Sequence, residues 1–92
     1  MIVLLEDADS AGSAVKIWRD SELKSILVVD GTLDGATVAL QLSPDGGSTW
    51  VNVQGAVFEA AEAVALDIPN EALVRGYVWD AGASTEVNMR II

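Results

Sequence analysis

The sequence predicts an all-β protein, a small antiparallel β-sandwich or barrel of seven to eight strands. Two observations carry that expectation. Apolar and polar residues alternate with period two in several short runs. Turn-forming clusters of Gly, Pro, Asp, Asn and Ser interrupt those runs at intervals of about 8–12 residues. A third observation anchors the register: residues 36–54, ATVALQLSPDGGSTWVNVQ, read as a tight β-hairpin.

The elements follow in chain order. Ile2, Val3, Leu4 and Leu5 form a short apolar run, either an edge strand or an N-terminal arm that adds a strand to another chain. The polar stretch behind them, Glu6 to Gly12, begins like a calcium loop, D-x-D-x-x-G. Ala11 fills a ligand position, and Trp18 stands where a closing bidentate Glu is needed, so an EF-hand is excluded. Residues 13–19 predict a second strand, with Val15 and Ile17 on one face and Lys16 and Trp18 on the other. Residues 24–29 predict a third, nearly continuous in apolar residues, as a central strand is. Asp30-Gly31 reads as a turn, and so does Asp34-Gly35.

In the hairpin, Val38, Leu40 and Leu42 alternate with Thr37, Ala39 and Gln41, and Val51 and Val53 alternate with Asn52 and Gln54. Pro44 presets φ for the turn between them, and Gly46 and Gly47 supply positive φ without a Cβ clash. Asp45 at the tip is placed to accept several backbone N–H groups, flanked by the hydroxyls of Ser43 and Thr49. Residues 56–66 suit a short helix by composition. Gly55 and Pro69 bracket them, however, and Val64, Leu66 and Ile68 alternate, so strands at 57–59 and 64–68 are expected. Leu73 to Trp79 is a strong strand, with Leu73, Arg75, Tyr77 and Trp79 on one face and Val74, Gly76 and Val78 on the other. Residues 80–84 turn the chain into a last strand at 85–92.

Composition bounds the function. Ninety-two residues make one domain, residues 1–92, able to bury about 60–65% of the chain's surface on folding. An apolar fraction of 51% is high for that size, and it predicts that a partner chain covers part of the apolar surface. There is no Cys and no His, so disulfides, thiol nucleophiles and Cys/His zinc sites are excluded. No cofactor or metal is expected. The net charge of −9 argues against nucleic acid and against anionic membrane surfaces. No apolar run approaches membrane-spanning length, and residues 1–5 lack the features of a signal peptide. Catalysis is not expected: fourteen carboxylates lie almost all in turns, with no pair marked out to face across a cleft.

Arg75, Tyr77 and Trp79 are planar groups in a row. The first expectation places Tyr77 and Trp79 in or near the core, with Arg75 paired to a carboxylate. A subunit interface is the second reading and sugar stacking the third; Trp18 carries the same ambiguity.

Two resemblances sharpen this. Ser43, Asp45, Gly47, Thr49 and Trp50 have the S-x-D-x-G-x-T-W spacing of the Asp-box, a hairpin motif of sialidases, other β-propellers and assorted β-sandwiches. In those families it stiffens a hairpin away from the catalytic centre, which implies a structural turn here. The segments GTLDGATVALQLSPDGGSTWVNVQG (31–55), LVRGYVWDAGAST (73–85) and the closing VNMRII also resemble small virion proteins of tailed bacteriophages. That resemblance implies a non-enzymatic capsid decoration (cement) protein, a homo-oligomer and most simply a trimer, which binds the major capsid protein on the virion surface. It would be made in the cytoplasm of the host bacterium. A tail or fibre module, with carbohydrate as its ligand, is the alternative the resemblance allows.

Overall fold

The structure is a computed structural model that describes residues 1–17, 26–66, 68 and 71–92. These residues form eight strands and no helix: β1 (Ile2–Ala8), β2 (Val15–Lys16), β3 (Ile26–Thr32), β4 (Thr37–Ser43), β5 (Val51–Phe58), β6 (Glu62–Ala65), β7 (Leu73–Trp79) and β8 (Glu86–Ile91). They make two antiparallel sheets of four, ordered β1-β8-β3-β6 and β2-β7-β4-β5. The all-β expectation therefore holds, in the form of two packed sheets.

The inner faces meet in one apolar cluster. Leu27, Val29, Val87, Met89 and Ile91 enter it from the first sheet and Val38, Leu40, Ala56, Phe58, Val74 and Val78 from the second. Leu27, Leu40, Met89 and Ile91 are fully enclosed. Two neighbours in space show how tightly the layers meet. A Cβ added at Gly76 of β7 would lie 2.5 Å from Leu5 Cγ of β1. The missing side chain at position 76 is thus the space that Leu5 occupies.

Leu5 also decides the status of the N-terminal segment. β1 pairs with β8 of its own chain, Ile2 opposite Ile91 and Val3 opposite Arg90. Register shifts on either side of Leu5 let Leu4 and Leu5 both turn inward, at 5% and 3% exposure. The arm reading is corrected: residues 2–5 are an edge strand of their own sheet. Leu4 and Leu5 are core residues rather than interface candidates, while Val3 stays 47% exposed.

Other boundaries move for identifiable reasons. Asp30-Gly31 is no turn; β3 runs through it to Thr32 beside β8, with Gly31 at φ 98. A side chain at 31 would run into the Glu86 carbonyl oxygen, so glycine is there for close backbone approach. The turn lies four residues on, where Ala36 N–H closes on the Leu33 carbonyl at 3.0 Å and Asp34 and Gly35 both have positive φ. Among the described residues of the predicted second strand, Val15–Lys16 pairs with β7, and Ile17 continues the pairing through its N–H to the Ala72 carbonyl at 2.8 Å and its carbonyl to the Glu71 N–H at 2.7 Å. Trp18, Lys24, Pro69 and the rest of 18–25, 67 and 69–70 lie outside the described residues, with the expectations that fell on them.

The second half of the hairpin is longer than its alternation suggested. β5 continues through Gly55 to Phe58, so the separate strand at 57–59 does not exist. Gln41 faces Asn52 but Ala39 faces Val57, two steps along β4 against five along β5. The three extra residues form a bulge, and an odd slip reverses the faces. Ala56 and Phe58 therefore point inward, while Val57 points out, 47% exposed. Within the stretch with helix-forming composition, β6 is a short strand against β3, Glu62 to Ala65, and Leu66 falls beyond it. Pairing with β3 overrides local propensity there.

A candidate interaction surface on the second sheet

The hairpin tip is built around one carboxylate oxygen. Asp45 Oδ1 accepts the Thr49 N–H at 2.8 Å, the Ser48 N–H at 3.1 Å and the Ser43 hydroxyl at 3.0 Å. Ser43 Oγ in turn accepts the Gly47 N–H at 2.7 Å. Gly46 and Gly47 stand at φ 79 and φ 111, as the turn requires. The Thr49 amide, then the Thr49 hydroxyl, hold the Asp45 carboxyl below its ordinary value, with Ser43 and Ser48 adding to them. Ser43, Asp45, Gly47 and Thr49 thus form one hydrogen-bonded turn. The tip is exposed and carries no second acid beside Asp45.

From the tip the chain runs into Trp50, which the structure joins to the row on β7. Arg75, Tyr77 and Trp79 do share a face, but it is the outer face of the second sheet. The core face is Val74, Gly76 and Val78, so the expectation of a core Tyr77 and Trp79 is corrected. All three outer residues are half-buried by one another and by the strand they cover. On β4 their partners are Gln41, Ala39 and Thr37. Ala39 has no exposure and Gln41 only 7%, although both point away from the core, because the larger side chains roof them.

The geometry is a stack of four planar groups. The Arg75 guanidinium lies 4.4 Å from the Trp50 ring centre and 5.0 Å from that of Tyr77. Tyr77 and Trp79 follow with ring centres 4.8 Å apart, tilted by 47°. Among the described residues Arg75 meets no carboxylate. Its Nε donates to Gln41 Oε1 at 2.8 Å, and Gln41 Nε2 donates to Asn52 Oδ1 at 3.0 Å. This relay crosses β7, β4 and β5 along directly opposed residues. It immobilises the guanidinium while leaving its terminal amino groups without a partner among the described residues. Gln41 and Asn52 had no mark in the sequence beyond their place in an alternating strand; only the register of three strands brings them to Arg75.

Elsewhere the chemistry is sparse. A surface cavity of about 230 Å³ lies over the irregular β1–β8 pairing, lined by Val3, Glu6, Asp30, Asn88 and Arg90 among others. Arg90 is already committed to Asp30 at 2.9 Å. No group of three or more acidic residues that could hold a metal ion occurs among the described residues. Comparison of the chain with protein-family models, curated proteins and solved structures finds no match.

Proposed function

We propose that this chain is a non-enzymatic structural protein of a tailed-phage virion. In this reading it is a capsid decoration protein that acts as an oligomer, most simply a trimer, and braces neighbouring subunits of the major capsid shell. The observation that carries it is the row Trp50, Arg75, Tyr77 and Trp79 on an open sheet face. Trp, Tyr and Arg are the residue types that dominate binding energy when a partner covers them. A sequence without His or Cys leaves little else for the chain to work with. The virion assignment itself rests on the likeness of residues 31–55 and 73–92 to phage structural modules.

A tail or fibre module that grips glycans fits the same likeness less well. Sugar stacking needs an open ring face, and in this row the inner faces are taken up by neighbouring planar groups. The deciding experiment is mass spectrometry of purified phage particles separated into heads and tails. The chain is expected on heads, in a fixed ratio to the major capsid protein. Recovery on tails alone selects the rival, and absence from both ends the virion reading.

A further inference from the structure

Three features outside the hairpin tip invite an occupant: the cavity over β1 and β8, the sheet edge left open beyond the two-residue β2, and the Arg75 face. The cavity's only cation is spent on Asp30. The edge beyond β2 is interrupted by Gly12, whose N–H holds the Gly76 carbonyl at 2.9 Å. The Arg75 face is different, because what it offers has a definite chemistry.

Arg90 is paired with Asp30, whereas Arg75 meets no acid among the described residues. Its charge is held rigidly between two rings, with its terminal amino groups unpartnered among the described residues. Along the row, the Tyr77 hydroxyl and the indole N–H groups of Trp50 and Trp79 make no hydrogen bond to any described residue. Arg75 and the indole N–H groups are donors only, the Tyr77 hydroxyl can donate, and Val57 lies exposed on the same face. A surface that is apolar, cationic and rich in donors fits a partner rich in carboxylates. The chain itself is such a partner: fourteen acidic residues against five basic ones give it a charge of −9.

We infer that this face binds the acidic surface of a second copy of the chain, in head-to-tail contact. Self-contact about a twofold axis through the face sets one Arg75 against the other, which like charges oppose. A head-to-tail contact sets Arg75 against carboxylates, and such contacts close into rings when the rotation allows. The inference rests on the oligomeric reading above and names the surface responsible for it.

Light scattering at micromolar concentration tests it, using wild type, Arg75→Glu, Arg75→Lys and Val57→Glu, with Arg90→Glu as a control on the other sheet. Near-ultraviolet circular dichroism checks that each variant is folded. Wild type should give a multiple of the 9.6 kDa chain mass. Arg75→Glu should weaken association at least tenfold, and Arg75→Lys should keep part of it. Val57→Glu changes an exposed side chain, keeps the fold, and should weaken association even where Arg75→Glu fails to fold. A wild type that stays monomeric overturns both this inference and the oligomeric reading, even if another protein is found to cover the face. A wild-type assembly that Arg75→Glu and Val57→Glu leave intact overturns the inference alone. An assembly lost only in Arg90→Glu overturns it too, and moves the contact to the first sheet.

Discussion

At the residue scale, Asp45 and Gly76 show two ways in which one position fixes its neighbours. Asp45 does so by accepting three donors on one oxygen, and its carboxyl is consequently held below its ordinary value. A group with a depressed folded pKa adds stability that is present above its unfolded value, near 4. That stability is lost as pH falls through the folded value. Asp45→Asn should therefore lower the denaturation midpoint at pH 7, and the gap between variant and wild type should close as pH drops from about 4 toward 2. A gap that stays constant over that range would mean that the charge of Asp45 contributes nothing to the turn. The tip is exposed, so water can replace part of what is lost, and the shift should be smaller than for a buried site. Gly76 is the opposite case, an inward position with no room. Gly76→Ala should cost about 1–3 kcal/mol by driving Leu5 from its rotamer, measured by chemical denaturation. The tip was legible in the sequence because every partner of Asp45 lies within four residues of it. The Asn52–Gln41–Arg75 relay was not, because opposed residues on three strands become neighbours only when register is known.

At the scale of elements, β1 carries a clear expectation. It contributes Leu4 and Leu5 to the core and its ladder to β8. Burying each leucine is worth about 1.5–3 kcal/mol, against a total stability of about 5–15 kcal/mol for a domain of this kind. Adding the lost ladder leaves little margin, so deleting residues 1–12 should unfold the chain; a truncated form that keeps its near-ultraviolet spectrum would restore the arm reading. A second tie joins two turns. The Thr85 hydroxyl donates to the Leu33 carbonyl at 2.8 Å and accepts the Gly82 N–H at 2.9 Å, at 5% exposure. Asp34 Oδ2 accepts the Ser84 N–H at 2.9 Å alongside it. Thr85→Val takes the acceptor from the Gly82 N–H and one of two donors from the Leu33 carbonyl, which keeps the Ala36 N–H; it should cost about 0.5–1.5 kcal/mol and raise amide exchange at Gly82 and Ser84 first. Strand existence was readable from period two wherever pairing is regular, as in β4 and β7. It failed where pairing is irregular: the bulge around Gly55 reverses the faces of β5, and Gly31 lets a strand pass through a pair that reads as a turn.

At the scale of the whole molecule, two electrostatic effects of opposite sign meet, and salt separates them. Copies that each carry −9 repel one another at long range. The contact between Arg75 and a partner's carboxylate acts at a few ångströms, and stacking on Trp50 and Tyr77 shields it from water. The screening length falls from about 30 Å at 0.01 M salt to about 10 Å at 0.1 M. That range removes most of the repulsion between whole molecules while leaving a covered short-range pair nearly intact. Head-to-tail association of wild type should therefore strengthen as salt rises from about 0.01 M to 0.1 M, then level off. For Arg75→Glu, the same screening should relieve repulsion without restoring assembly. Sedimentation velocity across that series reads both curves. An association that weakens steadily from the lowest salt upward would mean that long-range attraction dominates, which two like-charged copies cannot supply, and the head-to-tail contact at Arg75 would be overturned.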